Sequence, residues 1–429
     1  MNIMSNAFFK KIVSTFASRG FSAGGTFFLS FSLGHILGVH GTGIFMIGLS
    51  IMMGLKVVGC FGMENAILKY GGNSWGDKDY VALKNYISIS FGYGVVLSSI
   101  IGVVFFICSS HIARLFSSYD EVYNVFILVS LIYPFLVLSS LICAWMRACE
   151  LPELSSFFEI GSISMFTAVG MWIAKIAGFE NSSYMAMSIL LTVVILEVVV
   201  GYFILLSFKI PPKIKFSKKN EFSRSLLDYF VIDSIFYLTQ WGGVVLLGLF
   251  VSSASVGIFT LAHRLAFTVN FVLTVFDSIV APRFSYFFST RRLDDLKKLA
   301  LDTTKYMSFF SLPILLLMMF FPSSMLNLLG SGAEDGIYIL MILALAQFVN
   351  VSTGPVVFIL SMTGHQKILK KILLLSSIIG IVCYFLMVPI WKGNGAAFAI
   401  FVTMSLQNLI ATFVVKKKFG FNTILWWRG

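Results

Sequence analysis

Apolar runs of about 20 residues follow one another from end to end of the chain, separated by short polar stretches. As a helix, each run is long enough to cross a hydrocarbon core about 30 Å thick. The runs fall near 14–38, 43–67, 86–109, 122–146, 154–177, 184–208, 227–251, 256–281, 303–322, 337–361, 370–390 and 394–415. They are continuous rather than alternating, which argues against a membrane β-barrel. The pattern predicts an all-α membrane protein of 12 transmembrane helices. The most polar interruption is the basic segment 209–226, which contains Pro211-Pro212. It divides the chain into a six-span block, 1–208, and a second six-span block, 227–429, that ends in a short basic tail.

The two blocks carry traces of each other. Gly43-Ile44-Phe45 opens span 2, and Gly257-Ile258-Phe259 opens span 8, an offset of 214. The same offset carries Arg19 of span 1 onto Asp233 of span 7. After spans 2 and 8, the segments 75–84 and 290–299 each read as a polar turn leading into an amphipathic surface helix. These matches favour an internal duplication into pseudo-symmetric bundles. Twin bundles around a central site are the common plan of secondary transporters.

Composition excludes an ordinary soluble globule. Only 12% of the 429 residues are charged, against about 25% in soluble domains, and the mean hydropathy is +0.92. A formal charge of +12 would suggest nucleic acid in a soluble protein, but here the basic residues cluster in alternate loops. Of the 31 Lys and Arg, only Arg114 and Lys392 fall in the opposite set of loops. The positive-inside rule therefore places both termini in the cytoplasm, with the basic runs against anionic lipid heads. Lys10 and Lys11 precede a helix that carries Arg19 and lacks a cleavage site, so it reads as a first span rather than a signal peptide. The five cysteines lie in or beside apolar segments and form no metal or disulfide pattern. No P-loop pattern is present, which argues against direct ATP hydrolysis.

Several short stretches have a familiar order. Ala281-Pro282-Arg283-Phe284-Ser285 precedes the 293–299 helix, and Asn327-Leu328-Leu329-Gly330 precedes span 10. Thr363-Gly364-His365-Gln366 lies between spans 10 and 11, and Pro389 with Gly393-Asn394-Gly395-Ala396-Ala397 opens span 12. With these, residues 10–415 resemble the Wzx-type polysaccharide flippases of the MOP superfamily, relatives of the MATE exporters. The resemblance implies a multi-pass protein of a bacterial inner membrane. Its substrate would be an undecaprenyl-diphosphate-linked oligosaccharide, such as an O-antigen repeat unit, moved from the inner to the outer leaflet. With no P-loop, the expected drive is an ion gradient, of H+ or Na+, or the membrane potential; polysaccharide-assembly membrane proteins are candidate partners, no cofactor is expected, and the loop distribution of the basic residues argues against nucleic acid. Similar lipid flippases place cations on helices 1, 2 and 8, where this chain has Arg19, Lys56 and Arg264.

The charges inside apolar spans carry the candidate chemistry. Each costs roughly 2.5–3.5 kcal/mol at the centre of a membrane helix. Arg19, Lys56 and Arg264 fall at different depths and form a candidate ladder of cations for a diphosphate, since Arg and Lys make charge-assisted bonds to phosphate oxygens. Glu64, Asp233 and Asp277 lie toward the cytoplasmic ends of their spans and are gate candidates, with Arg19 expected to pair with Asp233. On a straight helix Lys56 and Glu64 lie two turns, about 12 Å, apart, so a partner for Lys56 is expected on another helix. Glu159 and Glu197 are coupling candidates, because buried carboxylates can carry protons. Two alternatives stand beside the flippase. A MATE-type drug exporter would have acidic residues dominating its cavity, and a glycan polymerase would carry a large polar outer loop.

Overall fold

The computed structural model describes residues 6–207 and 220–424, so most of the basic segment between the blocks lies outside the described residues. Among the described residues every regular element is helical. The chain forms two compact units, Met1–Gly257 and Ile258–Gly429.

The first unit opens with α1 (Asn6–Cys60), whose backbone leaves helical geometry at Gly38 (φ 65°, ψ −175°). There follow α2 (Met63–Ala66), a π-helical turn Ile67–Gly71, α3 (Gly72–Gly76), α4 (Tyr80–Ala113) and α5 (Tyr119–Ala148). Next come α6 (Pro152–Phe158), α7 (Ile160–Ile176), α8 (Ser183–Ser207), α9 (Asn220–Tyr237), a second π-helical turn Leu238–Gly242 and α10 (Gly243–Phe250). The helix α11 (Ser253–Ala266) begins in the first unit and continues into the second. The second unit adds α12 (Val269–Ser289), α13 (Leu293–Phe320), α14 (Pro322–Asn327), α15 (Ile337–Thr353), α16 (Val356–Met362) and α17 (Gln366–Phe419). The last of these is non-helical at Lys392 (φ 51°, ψ −127°). Among the described residues, nine helices are long and apolar enough to cross a membrane, or 10 if the bent pair α9–α10 counts as one span.

In the first unit, α5 packs against α1, α4 and α8. Phe126, Tyr133 and Trp145 on α5 are fully buried. In the second unit, Phe284, Leu296, Ala300, Val356, Leu360, Ala411 and Val415 bring α12, α13, α16 and α17 into one core. The outward faces are also apolar, with Phe203, Phe309, Phe320 and Ile390 well exposed. Hydrocarbon offers no hydrophobic drive between helices, so close packing must hold the spans together.

One such close approach lies within the first unit, between Val39–Gly43 and Ser253–Gly257. A Cβ on Gly43 would stand 1.7 Å from the Ser253 carbonyl oxygen, and one on Gly257 would stand 1.8 Å from that of Val39. Only hydrogen fits at either position. The contact is reciprocal, because Ser253 and Gly257 correspond to Val39 and Gly43 at the 214-residue offset read in the sequence.

Left-handed backbone positions recur at the same offset. Ser118 (φ 63°) matches Gly332 (φ 81°), Glu150 (φ 59°) matches Gly364 (φ 78°), and Gly178 (φ 82°) matches Lys392 (φ 51°). Lys78 (φ 58°) and Arg291 (φ 56°) match one residue short of it.

The expected amphipathic surface helices are not separate elements. Residues 75–84 divide between the end of α3 and the first turn of α4, where the Asp79 side chain caps the helix by accepting from the Ala82 amide at 2.9 Å. Residues 293–299 are the opening turns of α13. Nothing in either sequence breaks the helix between its amphipathic and apolar parts, so one helix carries both.

Candidate functional site

The site in the first unit is built on a break in the chain after α1. Phe61 (φ 42°) and Gly62 (φ 74°) both adopt left-handed backbone. A Cβ on Gly62 would stand 2.4 Å from the Leu226 carbonyl oxygen of α9 and 2.8 Å from the Phe230 amide nitrogen. Both the dihedral angle and the close approach therefore require glycine. The Phe61 ring stacks on Phe230, with centroids 4.7 Å apart.

This turn folds Glu64 back onto α1, and Lys56 Nζ lies 3.0 Å from Glu64 Oε1. The expectation that the two cannot touch assumed a straight helix through Phe61-Gly62, and the break overturns it. Both side chains are partly buried. The next residue, Asn65, donates from Nδ2 to Asp233 Oδ1 of α9 at 2.9 Å. One turn further along α9, the Tyr237 hydroxyl donates to the Ser50 carbonyl of α1 at 3.1 Å. Helix α9 is thus tied to the chain on both sides of the break.

A second polar group adjoins the first. Span 5 is interrupted at Glu159 (φ −67°, ψ −152°), the junction of α6 and α7. Glu159 Oε1 is ion-paired with the Arg147 guanidinium in the last turn of α5. Glu197 of α8, only 8% exposed, accepts from Ser139 of α5 and from Ser162 of α7, each at 3.1 Å. Lys56 lies within electrostatic reach of Glu159, and Glu64 within reach of Arg147. Lys56, Glu64, Asp233, Glu159 and Glu197 therefore belong to one interior polar region, with cations and carboxylates interleaved.

The remaining candidates take no part in these described contacts. Arg19 falls within α1, but its side chain is outside the described residues, as is any pairing with Asp233. Arg264 occupies the last turn of α11, beside His263, whose ring stacks on Phe267 with centroids 4.1 Å apart. Asp277 lies on α12, and its Oδ1 is buried without a hydrogen-bond partner among the described residues. Among the described residues, no cluster of three or more His, Cys, Asp or Glu could hold a metal ion.

Sequence reasoning missed Arg147, Asn65, Ser139 and Ser162. Arg147 was read as one more cytoplasmic orientation charge. The signal that could have separated it is its setting, Ala144-Trp145-Met146-Arg147-Ala148-Cys149, which is apolar on both sides. The serines give no signal of their own.

The course of the chain, helical in every regular element among the described residues, is similar to that of solved structures. The lipid II flippase MurJ in an inward closed conformation superposes with a TM-score of 0.73 at 14% identity, over 95% of this chain and 87% of that one. An inward-facing multidrug resistance MATE family transporter of the MOP superfamily gives 0.67 at 15% identity, over 92% and 94%. A MOP superfamily transporter from Pyrococcus furiosus gives 0.63 at 16% identity, over 96% of both chains. The fold is that of the MOP-superfamily transporters. The profile of the polysaccharide biosynthesis protein family matches residues 43–332, and the chain belongs to that family. No curated protein sequence matches it.

Proposed function

We propose that the protein is a flippase that carries a lipid-linked oligosaccharide, joined through a diphosphate to a polyprenyl tail, from the inner to the outer leaflet of a bacterial inner membrane. The observation that carries this reading is membership of the polysaccharide biosynthesis family combined with a transporter fold. The charged interior of the first unit agrees with it. A sugar and an anion need a polar path through the low-dielectric layer, and Lys56 within span 2 and Arg147 at the end of α5 are cations of the first unit. Lys56 is held by Glu64, so a phosphate oxygen would replace one anion with another rather than enter an uncompensated site. Arg19 and Arg264 are the further cations of this proposal.

The recurrence of left-handed positions supports 12 spans in two related halves. Lys392, inside α17, corresponds to Gly178, which lies in the turn between α7 and α8. By that correspondence α17 is two spans, and α1, broken at Gly38, is two more. With both termini cytoplasmic, the drive is an ion gradient or the membrane potential, worth about 2.3 kcal/mol per charge per 100 mV.

Deletion in the native host tests the function. Single lipid-linked repeat units are expected to accumulate facing the cytoplasm, and the intact gene is expected to restore export where Lys56→Ala does not. Single units displayed outside would instead indicate a polymerase. One observation favours a cation exporter as a second reading. The described interior of the first unit holds four carboxylates, Glu64, Glu159, Glu197 and Asp233, against the cations Lys56 and Arg147. Loss of cationic-drug resistance on deletion, with glycan export intact, would select that reading.

A further inference from the structure

Four carboxylates line the interior of the first unit, and their partners differ. Glu64 has Lys56, Glu159 has Arg147, and Asp233 has the Asn65 amide. Glu197 is the most buried of them. No Lys or Arg pairs with it among the described residues. Each of its oxygens receives one hydroxyl, Oε2 from Ser139 and Oε1 from Ser162. Ser162 sits in the first turn of α7, which starts at the interruption in span 5. An interrupted membrane helix presents the positive end of its dipole at the break.

We propose that Glu197 is a reversible proton-binding site, its charged form supported by two hydroxyls and the start of α7 and opposed by burial. These influences act in opposite directions, so neither charge state is locked, whereas Glu64 and Glu159 each have a cation beside them. Other ionisable groups surround Glu197. Cys143 faces it from α5 and Glu159 from the α6–α7 junction, while Arg147 pairs with Glu159. The α1 groups Lys56 and Cys60 engage Glu64 instead. A proton taken up from solution converts the carboxylate to a neutral acid that can itself donate to one serine oxygen, reversing that hydrogen bond while the other serine still donates to the acid. Any link between this proton and transport rests on the flippase reading, whereas the binding itself does not.

The test uses purified full-length protein in lipid vesicles and infrared difference spectra between high and low pH. A protonated-carboxyl band is expected in the wild type and is expected to vanish in Glu197→Gln. In Ser139→Ala and in Ser162→Ala, each lacking one donor to the anion, the band is expected to form at higher pH. A band that persists in Glu197→Gln overturns the proposal. So do serine variants that titrate as the wild type does, which keeps the proposal testable if Glu197→Gln does not fold. Translocation of a short-chain polyprenyl-diphosphate oligosaccharide in the same vesicles is read separately. Its absence in the wild type would count against the flippase alone.

Discussion

Lys56 and Glu64 show what a charge at membrane depth requires. Each is unfavourable alone, and each makes the other tolerable at a separation of 3.0 Å. Removing one partner leaves the other partly buried and uncompensated. A fully buried pair loses about 3–5 kcal/mol in that situation, and replacing both partners by apolar groups loses far less. Lys56→Met is therefore expected to lower the thermal unfolding temperature in detergent more than Lys56→Met combined with Glu64→Leu. Strict additivity of the two single effects would show that the pair contributes nothing to stability. Arg147 and Glu159 are a second such pair, joining the last turn of α5 to the interruption between α6 and α7.

At the scale of elements, several spans are interrupted rather than straight. The nine or 10 spans found among the described residues were legible in the sequence because 20 apolar residues in a row have few other uses. One interruption carried a signal that the reading of 337–361 as a single run passed over, since Gly354-Pro355 between α15 and α16 combines a left-handed glycine with a helix-breaking proline. Others carried none. Nothing apolar or polar distinguishes Phe61-Gly62 from its neighbours, and Glu159 shows only as a lone charge. Such breaks are set by what packs against them, here α9 against Gly62, and a one-dimensional pattern carries no record of that neighbour. The pairing of Lys56 with Glu64 was hidden for the same reason, because the helical ruler fails at the turn. Gly62→Ala tests the break. A left-handed backbone costs a non-glycine residue about 1–2 kcal/mol, and the new Cβ would also meet α9 at 2.4 Å. Gly178→Ala has the same strain (φ 82°) but open space around it. Gly62→Ala is expected to lower the unfolding temperature well beyond Gly178→Ala, and equal effects would mean that α9 can simply move aside.

Across the whole chain, the 214-residue offset began as a few weak residue matches and returned as backbone geometry. On the proposed duplication, residue identity has diverged at these turns while the positive sign of φ is kept. That difference has a practical consequence. In three of the matched left-handed pairs one member is glycine and the other is not: Ser118 against Gly332, Glu150 against Gly364, and Lys392 against Gly178. Each half thus supplies a tested template for relieving strain in its counterpart. Ser118→Gly, Glu150→Gly and Lys392→Gly are each expected to raise the unfolding temperature, since relief of about 1 kcal/mol at the turn exceeds the small entropy cost of glycine in the unfolded chain. The protein would in this way serve as its own homologue, a source of consensus-style engineering that needs no second sequence.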